Sequence, residues 1–238
     1  MSPRVSVFIL AFVFAVPLRA LAGPADDAFA ALRSRRLERP PPGDVQTTSV
    51  FQMAQHDEVS RAAERFLDRF PDDPRRWEVS GWAVLSPRSS DAAGAQPDPA
   101  WERRREVLRE ALLDAADAPD GLWIAVAERT INRLVGFRGG PVLDLAGAGR
   151  LVERLAARAP DSDRRKFAEQ TYFAALESAD PAAAEALLRR RASPGETNSA
   201  VREMAAGRLR VVEARRVPLD LRFTAADGRE VDLAQLRG

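Results

Sequence analysis

The clearest absence from this 238-residue sequence is cysteine, which does not occur at all. Without cysteine the chain can form no disulfide, no thiolate metal site and no thiol nucleophile. Histidine occurs once, at His56, so no histidine cluster can bind a metal ion. We therefore expect no cofactor and no metal, and no group of residues predicts a catalytic centre.

Lysine is nearly absent too, because Lys166 is the only lysine among the 36 basic residues. The remaining 35 are arginines, and 35 acidic residues bring the formal net charge to +1. These arginines are spread along the chain with Asp and Glu between them, whereas a nucleic-acid interface would gather them in one run or on one face. We therefore expect a solvated surface of mixed charge and no nucleic-acid partner.

A short apolar run opens the chain and ends too early for a membrane span. Residues 5–16 are apolar except for Ser6, and a short basic region precedes them. A spanning helix needs about 20 apolar residues, whereas Arg19 interrupts this run before that length is reached. A basic start followed by a short apolar core is typical of a secretory signal peptide.

Small residues mark the predicted cleavage site of this signal peptide. Ala20 and Ala22 lie three and one positions before a cut ahead of Gly23, which is the A-x-A pattern of signal peptidase substrates. We therefore assign residues 1–22 to a signal peptide. The mature chain is expected to be exported to the periplasm or cell envelope, with no stable membrane span after cleavage.

The middle of the chain carries apolar residues at helical spacing. One stripe has the i, i+3, i+4, i+7 pattern of an amphipathic helix, and its members are Val59, Ala62, Ala63, Phe66, Leu67 and Phe70. Similar stripes recur as far as Val212, with weaker segments at 24–37 and 74–86. We predict eight to ten helices and hardly any strand before residue 217. The fold class is mainly α, an irregular helical-hairpin bundle or short solenoid over residues 23–216.

The breaks between the predicted helices resemble one another. The sequence of residues 69–77 can be laid over residues 158–166, and residues 118–121 give a third, shorter version. In each, a proline ends one helix and an aspartate follows to cap the next. This recurrence is loosely similar to helical repeats of the tetratricopeptide or HEAT type. A peptide groove on the concave side of such an array is the partner site that the pattern suggests.

Several candidates for chemistry fit structural roles better. His56 lies at the edge of an apolar stripe without a G-x-S-x-G motif, so we predict a partly buried, hydrogen-bonded structural histidine. Glycines at 139–140 and 147–149 lack the third glycine of a dinucleotide fingerprint, because Val152 occupies its place. These glycines predict a tight turn and a close approach between helices instead.

The acidic pairs and the tryptophans also receive structural predictions. Aspartates at 26–27, 72–73 and 161/163 fall at predicted helix starts, where a carboxylate caps free N–H groups and favours the helix dipole. All four tryptophans fall in helical segments and are predicted to pack between helices; they are Trp77, Trp82, Trp101 and Trp123.

The pattern changes after Val217. Residues 218–224 alternate between apolar and polar, as a half-buried strand does, and residues 229–233 predict a second strand. Asp227 and Gly228 predict the turn between them. Residues 234–238 predict a short helical turn.

This tail, PLDLRFTAADGREVDLAQLRG, resembles the opening of the redoxin domains of the thioredoxin superfamily, the TlpA-like and AhpC/TSA-type proteins. The matching positions are Leu221, Phe223, Asp227, Gly228, Val231, Leu233, Leu236 and Gly238. The resemblance implies that residues 217–238 are the incomplete N-terminal β-hairpin of such a domain. In that family a buried strand and a W-C-x-x-C active site usually follow, so no redox role passes to any residue of this sequence.

Two hypotheses of function follow. In the first, the chain is the exported helical N-terminal region of a TlpA-like thiol–disulfide oxidoreductase, truncated before its active site and not catalytic as given. In the second, it is a non-catalytic periplasmic helical-repeat adaptor that binds another protein or a peptide. A hydrolase that uses His56 is a third reading, of a different class.

Overall fold

The computed structural model describes residues 23–86, 99–137, 139–216 and 222–232. Nine helices and two strands lie in these segments: α1 Pro24–Leu37, α2 Val45–Arg69, α3 Arg76–Leu85, α4 Pro99–Asp114, α5 Asp120–Leu134, α6 Leu145–Arg158, α7 Asp163–Ala179, α8 Pro181–Arg191, α9 Ser199–Arg216, β1 Arg222–Thr224 and β2 Glu230–Asp232. The mainly helical fold with a C-terminal hairpin is therefore confirmed. The predicted cleavage residues Ala20 and Ala22 lie outside the described residues, and Gly23 directly precedes α1.

The helices stack in the order of the chain. Every helix packs against the next one, and contacts between alternate helices join α3 to α5, α5 to α7 and α7 to α9. These four helices therefore form one continuous layer, which we call the inner row. The intervening helices α4, α6 and α8 pack on the outside of it.

The hydrophobic core runs along this stack as three adjoining clusters. The first joins α1, α2 and α3 and includes Trp101 of α4, while the third joins α7, α8 and α9. Between them, the largest cluster extends from Val84 of α3 to Ala184 of α8. Each hairpin thus buries its apolar face on its neighbours, as the apolar stripes in the sequence predicted.

The two most similar breaks of the sequence have the same backbone geometry. The residue after α2, Phe70, has φ −135° and ψ 62°, and the residue after α6, Ala159, has φ −137° and ψ 62°. Beyond each, a backbone N–H bonds back to the carbonyl of that residue at 3.2 Å, from Asp73 and from Ser162. A proline follows each break residue and prevents the helix from continuing. The sequence similarity of the two breaks is therefore a structural similarity.

Arginine side chains tie each hairpin to the next at a regular distance along the chain. Arg164 donates to Glu128 at 2.8 Å and Arg158 to Asp120 at 3.0 Å. Further ties of this kind are Arg104–Asp68, Arg154–Asp114, Arg190–Glu153 and Arg215–Glu177. In all six ties the partners are 36 to 40 residues apart in the sequence. Five of the six ties join a helix to the helix two earlier in the stack, and Arg158 joins α6 to the first residue of α5.

A buried ion-pair network joins α7, α8 and α9. Glu169, which is fully buried, accepts from Arg165 Nε at 2.7 Å and from Arg191 Nε at 2.9 Å. Arg165 Nη1 also donates to Glu196 Oε1 at 2.9 Å, and the N–H of Asn198 donates to the same oxygen at 2.9 Å. Each buried charge therefore has a partner of opposite sign, which buried charges require.

The C-terminal hairpin pairs β1 with β2 in antiparallel register, with Phe223 opposite Val231. Gly228 takes φ +84° in the connecting turn, as the Asp-Gly pair predicted. Within the described residues each strand covers three positions, and the predicted strand residues 218–221 and 233 lie outside them. The predicted helical turn at 234–238 lies outside the described residues.

Candidate functional site

A groove with a volume of about 660 Å³ opens along the inner row, between α3, α4, α5 and the start of α7. Five arginines line it, against two glutamates, Glu102 and Glu128; the arginines are Arg105, Arg109, Arg129, Arg133 and Arg164. Val84, Leu85, Asn132 and Phe137 also line it. We call it the basic groove.

Helical periodicity places four of these arginines as two pairs. Arg105 and Arg109 are four residues apart on α4, and Arg129 and Arg133 are four residues apart on α5. Residues at this spacing lie on one face of a helix, one turn apart. Because α4 packs against α5 in the stack, both pairs line the same groove.

Arg105 belongs to the wall of the groove and is almost fully buried. Its Nε and Nη2 donate to the carbonyl of Val84 at 3.0 and 2.8 Å. Its Nη1 lies 3.7 Å from Glu102 Oε1. The guanidinium therefore binds the Val84 carbonyl near the end of α3, a favourable place for a cation, and connects α4 to α3.

Arg109 and Arg133 share one carboxylate. Arg133 Nη2 donates to Glu106 Oε1 at 2.8 Å, and Arg109 Nη1 pairs with Glu106 Oε2. Burial lowers the pKa of Arg109, and the neighbouring Arg133 guanidinium lowers it further. Two guanidinium groups beside one carboxylate leave positive charge that a second anion can neutralise.

Arg164 and Arg129 lie on the open side of the groove. The side chain of Arg164 is 60% exposed and donates to Glu128. Arg129 is exposed as well and makes no hydrogen bond or ion pair among the described residues. A free guanidinium can bind a carboxylate with two parallel hydrogen bonds.

Asn132 also lines the groove, and its side-chain oxygen is a hydrogen-bond acceptor, whereas the arginines are donors. Its Oδ1 is buried and accepts no hydrogen bond within the described parts of the chain. A buried acceptor without a donor costs about 1–3 kcal/mol. The protein itself covers this oxygen, so Asn132 belongs to the wall of the groove.

The sequence analysis selected none of the residues that line the basic groove. Its own candidates lie in other parts of the structure. His56 is partly buried in α2, as predicted, and lines a separate cavity of about 260 Å³ with Arg36 and Trp82. The hydrogen bond predicted for it is absent among the described residues. His56 therefore does not line the basic groove, although Leu85 lines both cavities.

The glycine predictions are confirmed. Gly139 takes φ +89° in the turn after α5, a conformation that glycine adopts without strain. Gly149 lets α6 approach α7, since a Cβ at this position would lie 2.5 Å from Tyr172 Oη.

The aspartate predictions are only partly right. Asp26 accepts the N–H of Gly23 at 2.9 Å at the start of α1, whereas Asp73 instead binds the N–H and guanidinium of Arg75. Asp163 is the first residue of α7 and makes no cap there. Side-chain caps instead come from residues that the sequence analysis did not select: Asp44, Asp144, Asp180 and Asn198.

The tryptophans pack between helices, as predicted. Trp82, Trp101 and Trp123 are each at most 5% exposed and belong to the core clusters. Trp77 is partly buried against the central cluster, and its Nε1 donates to Asp117 at 2.9 Å. None of the four lines the basic groove.

Within the described ranges there is no group of three or more histidine and acidic side chains placed to hold a metal ion. None of the helices in those ranges has the length and apolar character needed to cross a membrane. Comparisons with protein-family models, with curated proteins and with solved structures found no match to this chain.

Proposed function

We propose that the helical stack is a protein-binding module and that its basic groove holds an extended, acidic segment of a partner protein. The observation that carries this proposal is the convergence of five arginines from α4, α5 and α7 on one groove. One of them, Arg129, has no partner among the described residues. The groove therefore offers positive charge that the fold does not use itself.

The arrangement of charges favours a polypeptide over a nucleic acid. Glutamates at 102, 106 and 128 alternate with the arginines, and they would repel a continuous phosphate backbone. Separate carboxylates on a peptide can instead meet individual guanidinium groups.

The proposed role is binding rather than catalysis. The ionisable side chains that line the groove are arginines and glutamates, and the glutamates are engaged by arginines. The arginines stay protonated in proteins, so they donate hydrogen bonds and do not exchange protons with a substrate near neutral pH. The groove therefore suits recognition of an anionic ligand.

Binding of labelled peptides tests this proposal. A glutamate-rich peptide should bind the wild-type chain, more weakly as salt rises, whereas its lysine-substituted counterpart should not bind. Arg129→Gln removes one charge-assisted pair and should weaken binding about tenfold. Fluorescence anisotropy measures both effects.

Arg103→Gln is the matched control, because Arg103 is an exposed arginine of α4 that does not line the groove. It should leave the affinity unchanged. Equal losses in both variants would contradict the proposal, and so would tight binding of a single-stranded oligonucleotide with no binding of the acidic peptide.

Our second proposal is that the chain is exported. We also propose that its C-terminal hairpin is the first part of a redoxin domain, to which the helical module is attached. What supports it is the sequence similarity of the tail together with the hairpin itself. Phe223 and Val231 are cross-strand partners, and Phe223 is 45% exposed. In the described chain β1 and β2 pair only with each other. A two-stranded sheet of this kind is marginally stable alone and gains stability within a larger sheet.

The nucleotide sequence beyond codon 238 tests the second proposal. We expect an in-frame continuation that encodes a hydrophobic strand and then two cysteines separated by two residues. A stop codon directly after Gly238, with slow amide exchange in residues 222–232, would contradict it and favour a self-sufficient adaptor.

A further inference from the structure

An apolar pocket lies beside the basic groove and contacts it. Its volume is about 300 Å³, and it lies between the turn after α5 and one face of α7. Phe137 and Val142 line the side of the turn, and Thr171, Ala174, Ala175 and Ser178 line the side of α7. We call it the apolar pocket. The small side chains on α7 leave the space that forms it.

Phe137 joins the two sites, because it lines both the basic groove and the apolar pocket. Its ring contacts Phe167 edge-on, with 5.6 Å between the ring centroids. Both rings are more than 40% exposed, and Val142 is 52% exposed. Neighbouring exposed apolar side chains on a soluble fold mark a surface that another molecule covers.

The spacing of the two sites can be measured along α7. Arg164 lines the groove, and Thr171 and Ala175 line the pocket, seven and eleven residues further along the same helix. At about 1.5 Å of rise per residue, these separations are roughly 10 and 16 Å. An extended peptide covers about 3.3 Å per residue, so it spans them with about three to five residues.

We propose that the apolar pocket receives one apolar side chain of the same peptide whose acidic residues lie on the arginines of the groove. This proposal rests on the proposed function above and specifies its ligand. The ligand is a peptide that carries acidic residues and, three to five positions before or after them, one side chain of about the size of Leu. The lining of the two sites supports this assignment. The described residues that line the pocket are uncharged, whereas five arginines line the groove. The pocket thus sets the register of a peptide that charge alone would hold loosely.

Paired peptides test the inference. Each carries the same glutamates and has either Leu or Ala four positions away, in both chain directions. In the favoured direction the Leu peptide should bind the wild-type chain about tenfold more tightly than the Ala peptide, because a buried Leu side chain leaves water. Ala174→Trp fills the pocket from an exposed position and should abolish this preference.

The control is Ala186→Trp, which adds the same side chain at an exposed position of α8 away from the pocket. It should keep the preference for the Leu peptide. If Leu and Ala peptides bind the wild-type chain equally, the inference is wrong while the proposed function stands. If neither peptide binds, the proposed function fails and the inference fails with it.

Discussion

At the scale of single residues, the structure differs from the prediction at four arginines, which are buried and not exposed to solvent. Arginine is among the residues least often buried, and its spread along the sequence indicated a solvated surface. The structure nevertheless buries Arg105, Arg109, Arg165 and Arg191. Each guanidinium is held by a carboxylate or a carbonyl. The solvated-surface prediction is therefore wrong at these four positions, because local pairing offsets the cost of burying the charge.

Glu196 gives the residue-scale prediction for stability. Burial raises its pKa, but hydrogen bonds from Arg165 and from the N–H of Asn198 outweigh burial and hold the pKa below its ordinary value. A lowered pKa in the folded state adds stability above the unfolded pKa, and that stability is lost as pH falls through the folded value. The free energy of unfolding should therefore decrease on acidification below about pH 5.

Glu196→Gln should reduce the free energy of unfolding at pH 7 by about 3–5 kcal/mol, because it removes one partner from a buried ion pair. It should also flatten the pH dependence in that acidic range. Urea denaturation at several pH values measures both effects. Glu177→Gln breaks a more exposed pair with Arg208 and Arg215 and should cost at most about 1 kcal/mol. Equal losses in the two variants would show that the network does not stabilise the stack.

At the scale of elements, the apolar periodicity was enough to predict the helices. The weak segment at 24–37 is α1, and the segment at 74–86 contains α3. The breaks were predictable too, because a proline followed by aspartate ends a helix through local sterics. The capping residues were harder to predict. Several aspartates lie near the helix starts, and the exact position of the first hydrogen-bonded turn determines which of them caps the helix.

The basic groove was not predictable at this scale. Arg105 and Arg109 fall on the same face of α4 as the buried Trp101 and Leu112, which is the one signal that the sequence offered. A charged residue on a buried face indicates a partner, but it does not say on which helix that partner lies. The packing of α4 against α5 supplies that information, and it depends on contacts between elements rather than on local periodicity.

At the scale of the whole molecule, the six arginine ties and the inner row describe one stack of hairpins. The basic groove lies midway along this stack and is built from four helices, α3, α4, α5 and α7, and the turn after α5. A site assembled from several hairpins is rigid only when the stack is intact. Binding and folding should therefore be lost together on heating.

The most direct measurement of the central claim is a charge swap across the groove. Arg129→Glu combined with Arg133→Glu reverses the charge on the open face of α5, while Arg109 keeps its pairing with Glu106. We predict that the acidic peptide binds only the wild-type chain and that its lysine counterpart binds only the double variant, with unchanged circular dichroism. Undiminished binding of the acidic peptide to the double variant would show that the basic groove is not the binding site.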